Sequence, residues 1–464
     1  TCSTDYVSIT GLGGCGEVGR SAILIRTPES SVLLDCGINP GSRRSVNAFP
    51  RLDDEEFDLS TLDAVIISHA HLDHCGFLPF LYKYGYKGPI YCSSPTYSLM
   101  ILLQLDYLDV IRKGGLLSPY SERDVRKVIL HTITVNHGEV NDIAPDIRLT
   151  LHNAGHILGS SIIHLHIGEG LHNVVYTGDF KFSRTKLLES AVSSFPRIET
   201  LIVESTYGSS TDIMPQRSGA ERILVESINR TVEEKGGKVL VPVPAVGRAQ
   251  EIMLVLDKCM REGSLVEIPI FVEGMVSEAT AIHTAFPSWL SRSIRDRILV
   301  RGESPFESEY FTVIKHPSDR EEVIYGGPCV VLATSGMLEG GPAIDYFRQL
   351  AQGKENTLIF VSYQIDGTLG SRVERKSREV PVIDSEGRIR VVKVNCDVLS
   401  IKGFSGHSDR REIVSYVGRL TPRPRRVVVC HGERSKSVDL ARTLHRVYNM
   451  PTSAPLNLET IRLR

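Results

Sequence analysis

The sequence predicts a two-lobed α/β protein in which a strand-rich lobe is interrupted by a lobe of alternating strands and helices. A chain of 464 residues is too long for one ordinary hydrophobic core, so at least two lobes are expected. Short apolar strands dominate up to about Glu204, whereas strands alternate with helices from about Ser209 onward. Such alternation indicates a parallel sheet with helices on both faces.

Several predicted strands of the first lobe end at a residue that can bind a metal or move a proton. These strand-end residues are Asp35 after SVLL, His69 after DAVIIS, Asp179 after NVVYTG and His431 after RRVVVC. His156 lies in HNAGHILGSS, a loop flanked by glycines. Side chains at neighbouring strand ends meet at one edge of a sheet, so we expect these residues to converge.

In the second lobe, the predicted strands are GGKVLVPVP, EIPIFVEG, CVVLAT and TLIFVSY. The predicted helices between them include RAQEIMLVLDKCMRE, a stretch ending near Trp289, and AIDYFRQLA. The chain then returns to the first lobe, because His431 must reach the same point as His69.

The motif HAHLDH is the most informative local feature of the chain. It places His69, His71, Asp73 and His74 within six positions, on the loop that leaves a buried strand. Neutral imidazole and carboxylate oxygen are the ligands that Zn²⁺ prefers. The alternative, histidines with ordinary loop hydrogen bonds, does not explain the density of donors. The motif therefore predicts a metal site.

Composition excludes several classes of protein. The chain has no secretory signal and no apolar run long enough to cross a bilayer. Nine cysteines without a CxxC pair argue against a disulfide framework and favour a reducing, intracellular setting. With a net charge of −2 there is no global basic field. The basic clusters Arg43–Arg44 and Arg423, Arg425 and Arg426 are interpreted as solvated surface rather than polyanion contacts.

The chain resembles the metallo-β-lactamase fold in its two-zinc hydrolase form, whose successive motifs are matched by Asp35, the His69–His74 cluster, His156, Asp179 and His431. Glu204 in LIVESTYG, His407 in KGFSGHSDR and His431 in VVVCHGE resemble the three extra motifs of the β-CASP nucleases. The match continues through VPVPAVGRAQE, ATSGMLEGGP and SYQIDGTLG, and so covers essentially the whole chain. The tail APLNLETIRLR is similar to that of archaeal relatives of the endonuclease subunit of the cleavage and polyadenylation specificity factor.

The resemblance implies an αββα metallo-β-lactamase sandwich with an inserted Rossmann-like β-CASP domain. The expected domains are residues 1–208 and 396–464 for the sandwich and residues 209–395 for the insertion, with substrate in the cleft between them. The archaeal relatives usually carry KH-type RNA-binding modules ahead of the nuclease, and nothing here resembles one. Because the chain starts with Thr, we expect either a piece of a longer protein or a relative without these modules.

The resemblance and the spacing together assign a role to each residue. His69, His71 and His156 are expected to hold one Zn²⁺, Asp73, His74 and His431 the second, and Asp179 to bridge them. Two such ions can activate a water for in-line attack on phosphorus and neutralise charge on the phosphoryl oxygens. His407 is the candidate general acid, with Glu204 as its orienting partner. Asp35 is expected to orient a ligand histidine.

Weaker signals concern phosphate contacts. Tyr207, Arg248 and Ser335, the last in the glycine-rich SGMLEGG, are candidate RNA contacts, although each can equally support its own loop. The segment GLGGCGEVG near the start does not fit a dinucleotide fingerprint, so nucleotide binding is rejected there.

The predicted function is a zinc-dependent ribonuclease that cuts internally, with 5′–3′ trimming as a further activity, in RNA 3′-end formation or transcription termination. The resemblance favours single-stranded RNA over DNA because a histidine is present at the last motif. It also implies an archaeal cytoplasmic protein, a homodimer formed through the tail, and contact with the transcription machinery. Two alternatives stay open: a small-molecule ester or thioester hydrolase, and a catalytically inactive scaffold of a processing complex.

Overall fold

A computed structural model describes residues 6–39, 46–365, 367–383 and 388–463. Within these residues the strands are β1 (Ser8–Gly13), β2 (Ala22–Arg26), β3 (Ser31–Leu34), β4 (Ala64–Ile66), β5 (Ile90–Cys92), β6 (Thr132–Thr134), β7 (Val140–Ala144), β8 (Ile147–Asn153), β9 (Ser161–Ile167), β10 (His172–Tyr176), β11 (Thr200–Glu204), β12 (Val239–Pro242), β13 (Ile270–Glu273), β14 (Phe311–Val313), β15 (Val330–Ala333), β16 (Thr357–Phe360), β17 (Glu379–Ile383), β18 (Ile389–Lys393), β19 (Asp397–Ser400), β20 (Arg426–Cys430), β21 (Thr452–Ser453) and β22 (Thr460–Arg462).

The α-helices of the same residues are α1 (Leu72–Cys75), α2 (Leu78–Lys83), α3 (Ser94–Lys113), α4 (Glu122–His131), α5 (Arg217–Asn229), α6 (Arg248–Arg261), α7 (Val276–Ala285), α8 (Arg292–Leu299), α9 (Arg320–Tyr325), α10 (Pro342–Leu350), α11 (Leu369–Glu374), α12 (Arg410–Arg419) and α13 (Arg434–Tyr448). Short 3₁₀ turns and one π-helical turn, Arg230–Glu234, complete the helical content. Among the described residues, no helix has both the length and the apolar character that crossing a bilayer requires.

The chain divides into two compact units. The first contains Thr1–Arg184, Leu188–Ile213 and His407–Arg464, and the second contains Thr185–Leu187 and Met214–Gly406. The predicted division at 208/209 and 395/396 lies close to these limits but does not include the short excursion at Thr185–Leu187.

Two seven-stranded sheets form the first unit, in the orders β22-β1-β2-β3-β4-β5-β6 and β21-β20-β11-β10-β9-β8-β7. Their inner faces share one apolar core, to which β1–β4 contribute residues such as Ile23 and Leu34, and β8–β11 contribute Leu149, Ile163 and Ile202. Burying both inner faces against each other removes the largest apolar area from water. The predicted sandwich is confirmed.

Helices cover the outer faces of this sandwich. Ile413 and Tyr416 of α12 and Leu440 of α13 pack against Val427 and Val429 of β20. On the other sheet, α3 contacts β6 and packs against α4. The apolar residues of α3 recur at helical spacing, and Ser93 caps its first turn by accepting a hydrogen bond from Thr96 N.

A six-stranded sheet forms the core of the second unit, in the order β14-β13-β15-β12-β16-β19, with every neighbouring pair parallel. This confirms the parallel sheet expected from the strand–helix alternation, and β14 and β19 extend it beyond the four strands that the sequence predicted. An antiparallel hairpin of β17 and β18, also not predicted, packs Val380, Val382 and Val392 into the same core as α10.

Candidate metal centre

The HAHLDH motif leaves β4 and forms the short helix α1, which carries Asp73 and His74. The segment after β3 holds this turn in place, since Cys36 N donates to His74 O at 2.8 Å. The two backbones approach so closely that a Cβ at Gly37 would lie 1.7 Å from Asp73 O. Only glycine fits at that position, and its backbone contact fixes where the two side chains of α1 point.

The remaining donors come from three other strand ends. His156 lies between β8 and β9, Asp179 lies beyond β10, and His431 directly follows β20. β10, β11 and β20 are parallel neighbours, so the residues at their carboxyl ends meet at one edge. Asp35, directly after β3, and His431 both have left-handed backbones, with φ of 61° and 45°. Non-glycine residues seldom adopt this conformation, and where they do the surrounding structure must enforce it.

Asp179 lies at the centre of the cluster, with a different pair of histidines facing each of its oxygens. Its Oδ2 lies 3.5 Å from His69 Nε2 and 3.6 Å from His156 Nε2. Its Oδ1 lies 3.3 Å from His74 Nε2 and 3.5 Å from His431 Nε2. One carboxylate therefore faces two separate sets of nitrogen donors.

We call these two sets of residues the first and second donor groups, and both include Asp179. The first donor group is His69, His71, His156 and Asp179, and the second is Asp73, His74, His431 and Asp179. In each group, one donor atom per residue lies within 4.8 Å of all the others. The structure thus brings together the seven residues that the sequence suggested as ligands.

The chemistry of these donors fits a divalent cation. His69 Nε2, His74 Nε2 and Asp179 Oδ1 are buried atoms with no hydrogen-bond partner in the described part of the chain. Buried polar atoms are nearly always satisfied, so three in one cluster indicate a missing partner. Burial lowers the pKa of His71 to about 3 and the pKa of His156 well below the usual histidine value, which keeps both rings neutral. A neutral imidazole offers a lone pair to a metal.

Contacts behind the donors orient the rings of the second group. Asp35 Oδ2 lies 2.7 Å from His74 Nδ1, and the same carboxylate accepts hydrogen bonds from Tyr176 Oη and from Ser68 N. Ser21 Oγ lies 2.7 Å from His431 Nδ1. Each contact fixes the ring so that Nε2 points toward Asp179, which is how partners behind metal-binding histidines generally act.

His407 lies at the side of the cluster, beside Glu204. Its Nδ1 is 2.9 Å from Glu204 Oε2, and its Nε2 is 3.9 Å from Asp179 Oδ2. Glu204 is only 1 % exposed, and it also accepts hydrogen bonds from Phe180 N and Thr206 Oγ1. Burial lowers the pKa of His407, but the negative charges of Glu204, Asp179 and Asp73 and the hydrogen bond with Glu204 together outweigh burial and raise the pKa to about 8.

The backbone of the His407 loop is anchored by a residue that the sequence did not single out. Lys181 Nζ donates to His407 O at 3.0 Å and to Glu412 Oε2 at 2.6 Å. Lys181 is buried, and Glu412 caps α12 by accepting from Asp409 N. Lys181 follows Asp179 by two residues, so this contact ties the loop of Asp179 to the loop of His407. In the sequence, the one signal for this role of Lys181 is that it lies two residues after Asp179.

The three weaker candidates fall in different places. The ring of Tyr207 is buried in the first unit, with its centroid 6.0 Å from that of His407. Arg248 begins α6 and Ser335 follows β15, and both belong to the second unit, where Ser335 Oγ accepts from Glu339 N.

The basic clusters lie away from the donor groups or outside the described residues. Arg43 and Arg44 fall outside the described residues. Arg423 and Arg425 are exposed, and the Arg423 guanidinium lies 5.6 Å from the ring centre of Tyr448.

The whole chain can be compared with known proteins. Models of the metallo-beta-lactamase superfamily, the Beta-Casp domain and the Zn-dependent metallo-hydrolase RNA specificity domain match residues 15–222, 249–373 and 391–455. A crystal structure of a protein of unknown function from Enterococcus faecalis V583 has the same fold, with a TM-score of 0.57 and 15% identity. That likeness covers 98% of this chain and 100% of the other.

The fold and the donor set define a β-CASP protein of the metallo-β-lactamase superfamily, a class of metal-dependent hydrolases. Curated archaeal relatives named transcription termination factor FttA are similar over 99% of this chain. The identity is 50% with the protein of Methanothermobacter thermautotrophicus, 53% with that of Pyrococcus horikoshii and 51% with that of Lokiarchaeum sp.. The matches cover 71–72% of those proteins, and the chain belongs to the same β-CASP family as these archaeal relatives.

Proposed function

We propose that the protein is a zinc-dependent ribonuclease that hydrolyses phosphodiester bonds of single-stranded RNA. The observation that carries this proposal is the pair of donor groups sharing Asp179, with the His407–Glu204 pair beside them. A hydrolase needs donors for an activating metal and a residue that protonates the leaving group, and this cluster contains both.

His69, His71 and His156 would hold one Zn²⁺, and Asp73, His74 and His431 the other, with one oxygen of Asp179 toward each. When bound, two zinc ions acidify a water and offset the charge that builds on phosphoryl oxygens. Imidazole nitrogens with one carboxylate in the first group and two in the second are a donor set that suits zinc better than magnesium or calcium, which prefer oxygen ligands.

The leaving ribose 3′-oxygen is a strong base and needs a proton. His407 Nε2 is the donor best placed to supply it, because it lies 3.9 Å from Asp179 Oδ2 and stands outside the first and second donor groups, in a separate cluster with Asp179 and Glu204. Glu204 accepts from Nδ1 and so leaves the proton on Nε2 facing the substrate side. Lys181 holds the His407 carbonyl and limits movement of that loop.

RNA is favoured as the substrate by the match to an RNA specificity domain and by the names of the archaeal relatives. A role in transcript 3′-end formation or termination, and contact with the transcription machinery, follow from the same names. Cleavage inside the RNA is the expected main activity, with 5′–3′ trimming as the second. A homodimer formed through the tail and a cytoplasmic location complete the proposal.

A small-molecule ester or thioester hydrolase is the second candidate, since such enzymes use the same HAHLDH loop. Small esters do not need an inserted six-stranded unit or a buried His407–Glu204 pair, so this candidate is weaker. An inactive scaffold is weaker still, because such proteins lose metal ligands and all seven donors lie together here.

The test uses single-stranded RNA labelled at its 5′ end, incubated with the zinc-loaded protein with and without a chelator. We expect internal fragments that disappear with the chelator and with Asp73→Asn, but persist with Asp109→Asn, which changes an exposed carboxylate of α3. Release of labelled mononucleotide alone would replace the endonuclease with a 5′ exonuclease. Absence of any RNA cleavage by zinc-loaded protein, together with ester hydrolysis, would overturn the proposal in favour of the small-molecule enzyme.

A further inference from the structure

The glycine-rich segment GLGGCGEVG has no role in the chemistry proposed above, yet it directly supports the second donor group. Gly14 O accepts a hydrogen bond from His431 N at 2.6 Å, and Ser21, just beyond the segment, contacts His431 Nδ1. His431 has a left-handed backbone, which is unfavourable for a non-glycine residue, so it needs such support. The position of Gly14 O therefore helps to set the position of the His431 ring.

The segment around Gly14 has little side-chain packing that could fix its shape. Gly14 and Gly16 have φ of 79° and 73°, in the region that favours glycine, and glycine adds no side-chain packing to hold a loop. Its conformation therefore depends on hydrogen bonds, one of them within the segment, from Gly14 N to Glu17 Oε1, and others from elsewhere in the chain.

Those contacts come from the C-terminal tail. Asn457 Oδ1 accepts from Cys15 N at 2.9 Å, and Asn457 Nδ2 donates to Glu17 Oε1 at 2.7 Å. The same Glu17 oxygen accepts from Gly14 N and from Arg20 Nε. The Asn457 side chain thus accepts a hydrogen bond from one backbone N–H of the glycine loop, that of Cys15. It also donates to the Glu17 carboxylate, which in turn accepts from the backbone N–H of Gly14.

The tail backbone is positioned to present Asn457 to this loop. Leu458 N donates to Gly11 O at 2.7 Å, and Thr460–Arg462 pairs as β22 with β1. A Cβ at Gly16 would lie 2.9 Å from Leu456 Cδ2, so the tail lies directly on the loop. Buried Cys15 N would have no acceptor if the Asn457 side chain were removed, and the loop would shift to find one.

We infer that Asn457 is a positioning residue for the second donor group, acting through Cys15, Gly14 and Glu17 on His431. This inference rests on the proposed role of His431 as a metal ligand. It makes the C-terminal tail part of the metal centre, in addition to its proposed role in dimerisation. Removal of residues 457–464 would therefore disturb metal binding and dimerisation together, and point substitutions are needed to separate them.

The test measures binding of Co²⁺, a visible substitute for Zn²⁺, to the metal-free full chain. We expect Asn457→Ala to weaken one of two equivalents by about 10-fold, the lower end of the effect of losing a group behind a ligand, and to leave the other unchanged. Thr460→Val is the matched control, because it removes the tail hydrogen bond to Thr10 Oγ1 without touching the glycine loop. Glu17→Gln keeps an oxygen acceptor for Gly14 N and Asn457, so it should weaken binding less than Asn457→Ala.

The results of this titration separate the inference about Asn457 from its alternatives and from the proposed function. Unchanged affinity of both equivalents in Asn457→Ala would overturn the inference. Equal weakening of both equivalents, or an equal effect of Thr460→Val, would reduce Asn457 to general stabilisation of the fold and also overturn it. His431→Ala separates this from the proposed function: if that variant keeps both equivalents at full affinity, His431 is not a ligand and the proposed metal centre itself is wrong.

Discussion

The two donor groups around Asp179 share one carboxylate but are built in different ways. In the first group, His71 Nδ1 and His156 Nε2 face each other at 3.1 Å, and burial is the main influence on their pKa values. In the second group, His74 and His431 are oriented by Asp35 and Ser21, which accept or donate at their Nδ1 atoms.

This difference shows which parts of the site depend on distant contacts. The first group takes two of its histidines from one short motif and needs little beyond a buried pocket. The second group joins residues from opposite ends of the chain, since Ser21 and His431 are 410 positions apart. Ser68 connects the two, because its Oγ contacts both His69 Nδ1 and Asp35. Substitutions behind the ligands should therefore affect the second group more than the first.

The largest effect is expected for Asp179→Asn, which removes the shared negative charge and should weaken both groups together. Because each oxygen faces two histidines, activity should fall by more than about 10⁴-fold, beyond the range for loss of a general acid alone. Measurement of zinc content and RNA cleavage checks this, with Asp109→Asn as the exposed control. Loss of only one metal equivalent would contradict a carboxylate shared between the two groups.

His407→Ala should separate proton transfer from metal binding. Its side chain lies outside both four-residue donor groups, so zinc content should be unchanged while cleavage falls by about 10²–10⁴-fold. His316→Ala, an exposed histidine of the second unit, serves as the control. If zinc is lost together with activity, His407 binds metal and its assignment as the proton donor is wrong.

Asp35→Asn should distinguish the two groups. The amide cannot provide the negative charge opposite His74 Nδ1, so the second group should bind metal about 10–100-fold more weakly. The first group should change less, since it meets Asp35 only through Ser68. Titration of metal-free protein with Co²⁺, resolving the two equivalents, measures both affinities. Equal weakening of both Co²⁺ affinities would contradict the claim that the two donor groups depend differently on Asp35.

Ser21→Ala should have the smallest effect. It removes one neutral hydrogen bond to His431, worth about 1 kcal/mol, which corresponds to roughly a fivefold loss of affinity in the second group. The same titration measures it, and thermal unfolding of the metal-free protein shows whether the fold is affected. A loss as large as that of Asp35→Asn would mean that the hydroxyl, rather than the backbone at Gly14, mainly holds His431.

Much of the first unit could be predicted because its pattern is local. The apolar runs before Asp35, His69 and His431 are strands in the structure, and their polar ends meet as expected from strand geometry. The strand–helix alternation likewise indicated the parallel sheet of the second unit.

What the sequence did not predict depends on contacts between distant segments. Lys181 reaches the carbonyl of His407, 226 positions away, and Asn457 reaches Cys15 across 442 positions. Lys181 stands in no quoted motif, and the quoted tail that contains Asn457 gave no sign of this contact, because the requirement comes from a backbone group on another segment. The strand order of the second unit could not be predicted for the same reason, since periodicity identifies strands but not which strands are neighbours in the sheet.

The most direct test of this account is a crystal structure of the zinc-loaded protein with anomalous scattering data collected at the zinc absorption edge. Two peaks are expected on either side of Asp179, one among His69, His71 and His156 and the other among Asp73, His74 and His431. A single peak, or zinc bound away from Asp179, would contradict the two-group metal centre on which the proposed function rests.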